Sequence, residues 1–260
     1  MRLRVLGCHG GESPSHRTTA FLLDGKLLLD AGAATRGLSV PEQIAIDHVV
    51  ISHSHLDHVR DLAFLCDNII GARTSPLRVY CTATTADALH KHLFNNVIWP
   101  DFTKIPNPSD PSGGATLEIH TVDPNTDLEI GGYSIKLVPV NHPVETHAIF
   151  VRDGQGTLCY SSDTGPTDTL FEELNARSDL RAFIYEVSFP NGMESLAEIS
   201  GHLTPQMLAN ELAEKFRPQT SCPILLYHLK PGFYDTLRDQ IAALRDSRIA
   251  ILKPMDEFDF

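Results

Sequence analysis

The sequence predicts an α/β fold in which two β-sheets pack together with helices outside. Three observations point there. Short apolar runs rich in β-branched residues recur along the chain, and helical periodicity follows them in each half. Of the 260 residues, 42% are hydrophobic, ample for a buried core. No linker, repeat or low-complexity tract interrupts the pattern, so residues 1–260 are expected to form one domain.

The elements follow in order. "LRVLG" (3–7), "TAFLLD" (19–24) and "KLLLDAG" (26–32) read as strands, with Asp24-Gly25 as a hairpin turn. "DHVVIS" (47–52) reads as a buried strand. From Asp57 the positions of Val59, Leu62, Ala63 and Leu65 suit a helix. "LRVYC" (77–81) is a strand, "TTADALHKHLF" (84–94) a helix and "PNPSDPSGG" (106–114) a loop. Four strands follow in "TLEIHTV", "SIKLVPV", "AIFVRD" and "GTLCYSSD". Helices are expected at 168–175, 204–216 and 234–244, and late strands in "RAFIYEVS", "PILLYHL" and "RIAILK".

A formal net charge of −12 argues against a broad nucleic-acid surface, which needs clustered Lys and Arg. It leaves room for a small anion held at a local positive centre such as bound metal. The five cysteines, Cys8, Cys66, Cys81, Cys159 and Cys222, form no C-x-x-C pair and read as buried free thiols of a reducing compartment. No apolar run reaches the roughly 18 residues of a membrane span, and "MRLRVLGC" is too short for a signal peptide. A soluble cytoplasmic protein is expected.

"ISHSHLDHVRDL" (51–62) places His53, His55, Asp57 and His58 within six positions, directly after a buried strand. With this composition such a pattern arises by chance in roughly a few sequences per thousand. The bland alternative is a polar loop with solvent-facing histidines, but open α/β sites often lie at such strand ends. Zinc takes imidazole and carboxylate ligands, usually four. Neighbouring histidines cannot all reach one ion, whereas two ions can divide them. Further ligand types emerge from apolar strands at His142 in "PVNHP", Asp163 in "YSSDTG" and His228 in "LLYHLKP".

This ordered set, HxHxDH, His, Asp, His, resembles the metallo-β-lactamase superfamily over almost the whole chain. The resemblance implies a four-layer αββα sandwich with two metals at one edge. It implies that His53, His55 and His142 hold one ion, that Asp57, His58 and His228 hold the second, and that Asp163 bridges both. "HSHLDH", "HLFNNVIWP" (92–100), "YEVSFPN" (185–191) and "GHLTP" (201–205) together resemble the class II cyclic-nucleotide phosphodiesterases. One departure is Asp61, preceded by Arg60, where that family usually has a small residue. It is expected to alter the helix start or the pocket rim. The family resemblance also suggests a homodimer.

The expected reaction is hydrolysis of a 3′,5′-cyclic nucleotide, cyclic AMP or cyclic GMP, to a nucleoside 5′-monophosphate. Two metals about 3.5–4 Å apart can hold a bridging hydroxide at neutral pH that attacks phosphorus. The metals are expected to be Zn2+, with Mn2+ or Fe2+ also suiting these ligands. His202 is the expected proton donor to the leaving oxygen, general acids being most often His. Its "GH-x-T" setting is similar to that of tRNase Z-type phosphodiesterases. Glu186 would orient it, so His202, Glu186 and Asp57 make up the expected catalytic group. Asn95, Trp99 and His147 are candidate substrate contacts, against plainer structural roles for each. His9, His16, His48, His90, His92 and His120 lack matched partners. Rival readings are a tRNA 3′-processing nuclease, a lactone or β-lactam hydrolase, and a non-enzymatic metal-binding module.

Overall fold

The computed structural model describes residues 1–260. Two seven-stranded sheets form its centre. The first runs edge to edge as β14 (Glu257–Asp259), β1 (Arg2–Gly7), β2 (Ala20–Leu23), β3 (Leu27–Leu29), β4 (His48–Val50), β5 (Leu77–Cys81) and β6 (Leu117–Thr121). The second runs as β13 (Ile249–Ile251), β12 (Ile224–Tyr227), β11 (Leu180–Glu186), β10 (Thr157–Tyr160), β9 (His147–Arg152), β8 (Tyr133–Pro139) and β7 (Asp127–Ile130). The helices are α1 (Ala34–Gly37), α2 (Val40–Ile44), α3 (Leu56–Ile69), α4 (Ala83–His92), α5 (Thr169–Ala176), α6 (Glu194–Ser200), α7 (Pro205–Lys215) and α8 (Tyr234–Ala243).

Side-chain alternation builds the layers. In β3, Leu27 and Leu29 enter the core between the sheets, while Leu28 faces the helices. In β11, Ala182 and Ile184 face inward and Phe183 and Tyr185 outward; β12 repeats this with Leu225 and Tyr227 against Ile224 and Leu226. A strand buried on both faces reads as a continuous apolar run, because both alternating sets need hydrophobes. The outer cores are closed by Val59, Leu62 and Leu65 of α3 on the first sheet, and by Leu170, Leu208 and Leu237 of α5, α7 and α8 on the second. The result is a four-layer αββα sandwich, as expected.

Departures from the sequence reading are local. Strand β3 stops at Leu29, and the following Asp30 turns into the left-handed region at φ 54°. Asp24 and Gly25, at φ 46° and 72°, make the expected turn between β2 and β3. The short elements α1, α2, α6, β7 and β14 show no sequence periodicity because each is only a turn or two, or a few residues, long. All five cysteines are buried and unpaired. No helix is long and apolar enough to cross a membrane.

Strand direction positions the site. β3 to β6 pair in parallel, as do β10 to β13, so the carboxyl ends of each set gather at one edge. The edges of the two sheets meet there: the His147 N–H donates to the Ser52 carbonyl at 3.2 Å.

Candidate metal centre

Each sequence-predicted ligand leaves a strand at this shared edge. His53 follows β4, His55 caps α3 and Asp57 and His58 lie in its first turn. His142 follows β8, Asp163 follows β10 and His228 follows β12. The chain bends sharply to aim them. Asp30, Ser162 and His228 adopt φ of 54°, 55° and 69°, costly for residues other than glycine.

The donors fall into two groups. His53, His55 and His142 form one; Asp57, His58, Asp163 and His228 form the other, with ligand atoms in each group within 4.8 Å of one another. Asp163 lies between them. Its Oδ2 is 3.1 Å from His228 Nε2, 3.3 Å from His58 Nε2 and 3.9 Å from His53 Nε2. Its Oδ1 accepts from the Tyr227 hydroxyl at 2.9 Å.

Hydrogen bonds on the outer ring nitrogens set which nitrogen carries the proton. The His142 Nδ1–H donates to the Gly201 carbonyl at 2.9 Å, leaving Nε2 as a lone pair. His58 Nδ1 sits 2.7 Å from Asp30 Oδ2, which can only accept. Ser188 Oγ donates to Glu186 at 2.8 Å and so accepts from His228 Nδ1 at 2.7 Å. Ser52 Oγ likewise donates to Asp30 and accepts from His53 Nδ1 at 3.0 Å. Four imidazoles thus carry Nδ1–H outward and turn Nε2 inward, the nitrogen a cation would bind. The Nε2 atoms of His53 and His58 are buried with no hydrogen-bond partner. Buried polar atoms without partners are rare, and a divalent cation is the acceptor of lone pairs this arrangement lacks. His55 Nδ1 and His142 Nε2 face each other at 3.2 Å, a further pair of donors converging on one point. The residues fit a pair of cations.

The electrostatics divide the histidines. Burial pushes His53 well down and His142 down to about 4, so both are neutral at pH 7, the form that binds metal. Burial also opposes charge on His58 and His228, but the carboxylates of Asp163 and Asp57 outweigh it. His58 moves well up and His228 up to about 9. Burial opposes the Asp163 charge in turn, yet His228 and His58 hold its carboxyl well below the usual range.

His202 stands beside this cluster. Its ring stacks on His228 at 5.0 Å and lies 5.1 Å from His142. Its Nδ1 is 3.2 Å from Glu186 Oε1, which also accepts from the Leu203 N–H at 3.0 Å. His147 is buried at the meeting of the sheets with its Nδ1 unpartnered. Asn95 and Trp99 belong to neither donor group. Asn95 accepts from Val97 N and Ile98 N and donates to the Lys91 carbonyl, tying up its own loop. Trp99 packs edge-on to Phe64 at 5.3 Å, against the outer core.

Sequence reasoning did not single out Asp30, Ser188, Tyr227, Gly10 or Gly201. Asp30 accepts from four donors: Ser52 N and Oγ, Tyr160 and His58. Its signal was an aspartate ending an apolar strand in "LLLDAG". Gly10 and Gly201 are glycine for lack of room. A Cβ would fall 2.6 Å from the His228 ring at Gly10 and 2.9 Å from His142 Nδ1 at Gly201. The Arg60–Asp61 departure has a structural role: buried Asp61 accepts from Thr35 N at 2.8 Å, Thr35 Oγ1 at 2.7 Å and Arg60 Nε at 3.0 Å, anchoring α1 on α3.

The sandwich with donors at one strand-end edge defines a class. A family model described as "Beta-lactamase superfamily domain" matches residues 26–224, and the chain belongs to the metallo-β-lactamase superfamily. Within it, the chain is 30% identical to the "Probable 3′,5′-cyclic-nucleotide phosphodiesterase" of Yersinia pestis, over 88% of this chain and 78% of that one. It is 26% identical to the "Probable metallo-hydrolase YhfI" of Bacillus subtilis (strain 168), over 97% of each. The crystal structure of unliganded yeast PDE1 matches the fold with a TM-score of 0.78 at 19% identity, covering 98% of each chain.

Proposed function

We propose that this chain is a divalent-metal-dependent phosphodiesterase that hydrolyses 3′,5′-cyclic nucleotides to nucleoside 5′-monophosphates. The observation that carries the reading is the His202–Glu186 pair stacked beside the paired donor groups. The name of the Yersinia pestis relative supports the substrate class. His53, His55 and His142 would hold one cation, Asp57, His58 and His228 the other, and Asp163 would be shared. Zinc suits this imidazole and carboxylate set, and manganese or iron would also fit it. Bound there, the cations would supply Lewis acidity toward the phosphoryl oxygens and acidify a coordinated water.

The remaining work falls to protein groups. As water oxygen joins phosphorus and the bond to the 3′ oxygen breaks, that oxygen needs a proton. Glu186 accepts from His202 Nδ1 and so turns Nε2 toward the centre, where a protonated His202 donates to the 3′ oxygen. Glu186 also accepts from Ser188, so one carboxylate orients both the donor and His228.

The test is turnover by metal-loaded protein of cyclic AMP, cyclic GMP, a lactone, a β-lactam and precursor tRNA. Formation of 5′-AMP or 5′-GMP is expected. Cleavage confined to RNA or to the carbonyl substrates refutes the reading.

A further inference from the structure

Away from the metal centre, α8 and β13 wall a cavity of about 360 Å³, within the range of small-molecule sites. Its apolar lining is Tyr234, Ile241, Ala242, Ile249 and Ile251. Its polar lining is cationic. Arg238 is already engaged by Asp235 at 2.8 Å and Asp239 at 3.0 Å. The one carboxylate of the lining, Asp246, is held by Arg248 at 2.6 Å. Arg245 and Lys253 have no carboxylate at ion-pair distance from either side chain. Arg245 is also held at φ 53°, a left-handed conformation that costs energy in a residue other than glycine.

The chain has 33 acidic and 21 basic residues, so carboxylates are abundant. Two exposed cations left without one, lining the same cavity as these apolar side chains, are complementary to an anion that brings its own apolar surface. Packed rings lead from the cavity toward the metal centre. Tyr234 lies 5.1 Å from His16 and 5.7 Å from His9, and His9 and His16 are 4.5 Å apart. Gly10, next in the chain after His9, abuts the His228 ring.

We propose that this cavity is a second ligand site, separate from the metal centre. It takes a small organic anion on a flat apolar body, of which a nucleoside monophosphate is the type. The body lies on the isoleucines and Tyr234, and the anionic group sits between Arg245 and Lys253. The site stands independently of the reaction proposed above; where that reaction holds, its product belongs to this ligand class.

Photolabelling of metal-loaded protein with 8-azidoadenosine 5′-monophosphate, followed by peptide mapping, tests the proposal. An adduct within residues 234–253 is expected. It falls at least tenfold in an Arg245→Glu, Lys253→Glu variant whose metal content, melting temperature and ligand-free turnover match the parent. Arg245→Gln provides the same comparison if the double charge reversal disturbs folding. Labelling confined to the metal-centre loops overturns the proposal, as does labelling of 234–253 that survives the charge change.

Discussion

Replacing Asp30 by asparagine tests the logic of the metal centre at a residue that would touch no metal. Asp30 is fully buried and accepts at 2.8 Å from Ser52 N and at 2.7 Å from each of Ser52 Oγ, Tyr160 and His58 Nδ1. An asparagine must place its NH2 on one side. Facing Ser52 N, it meets a backbone donor that cannot turn away. It therefore occupies the Oδ2 position, where the two hydroxyls can rotate to accept. His58 can accept there only by keeping its proton on Nε2, the nitrogen a bound cation needs. Loss of such a partner typically costs 10–100-fold in metal affinity, or about 1.4–2.7 kcal/mol. Competition with a chelator of known affinity, followed by elemental analysis, measures it. One cation should weaken by that factor, while the group containing His53, His55 and His142 keeps the other. An Asp30→Asn protein that binds two cations with parental affinity refutes the tautomer argument.

Further expectations follow from the same geometry. Asp163→Ala removes the carboxylate lying between the two groups, so metal content and turnover should fall together; full activity at reduced metal content contradicts a shared ligand. His202→Ala should retain both cations and lose roughly 10²–10⁴-fold in turnover, the usual size of a general-acid effect, and unchanged turnover rejects the donor role. His58 and His228 are raised, His228 to about 9, so both carry protons at neutral pH before loading. Cation binding must displace those protons, so affinity should rise with pH up to about 9. Calorimetry in buffers of different ionisation enthalpy should then show proton release, and a buffer-independent enthalpy contradicts it. Asp61→Ala strands the Thr35 N–H and hydroxyl and should cost about 1–3 kcal/mol of stability in denaturant unfolding, and an unchanged midpoint would show the α1 anchor to be idle.

Much of the layer order was legible because burial on both sheet faces demands long apolar runs, which stand out in "KLLLDAG", "RAFIYEVS" and "PILLYHL". Helices of eight or more residues carried their own periodicity; the single turns α1, α2 and α6 did not, since tertiary contacts rather than local pattern hold them. At the site, the ligand types were legible because each sits beside a strand end in a polar break. The likeness to known sequences, rather than the residues alone, supplied their division into two groups. Asp30 was hidden because an aspartate after a strand reads as an ordinary turn residue. The hydrogen bonds of Asn95 within its own loop were hidden too, because they depend on how residues 91–98 turn.

By itself the sequence determined which side chains could ligate and which strands would be buried, because residue chemistry and apolar periodicity are local properties. Tertiary structure alone decided that side chains 171 positions apart, those of Asp57 at the start of α3 and His228 after β12, come within 3.3 Å. It also decided which nitrogen of each imidazole faces inward. Both depend on parallel strand pairing and on hydrogen-bond partners from distant segments, Asp30 for His58, Ser188 for His228 and Gly201 for His142, which no short stretch of sequence contains.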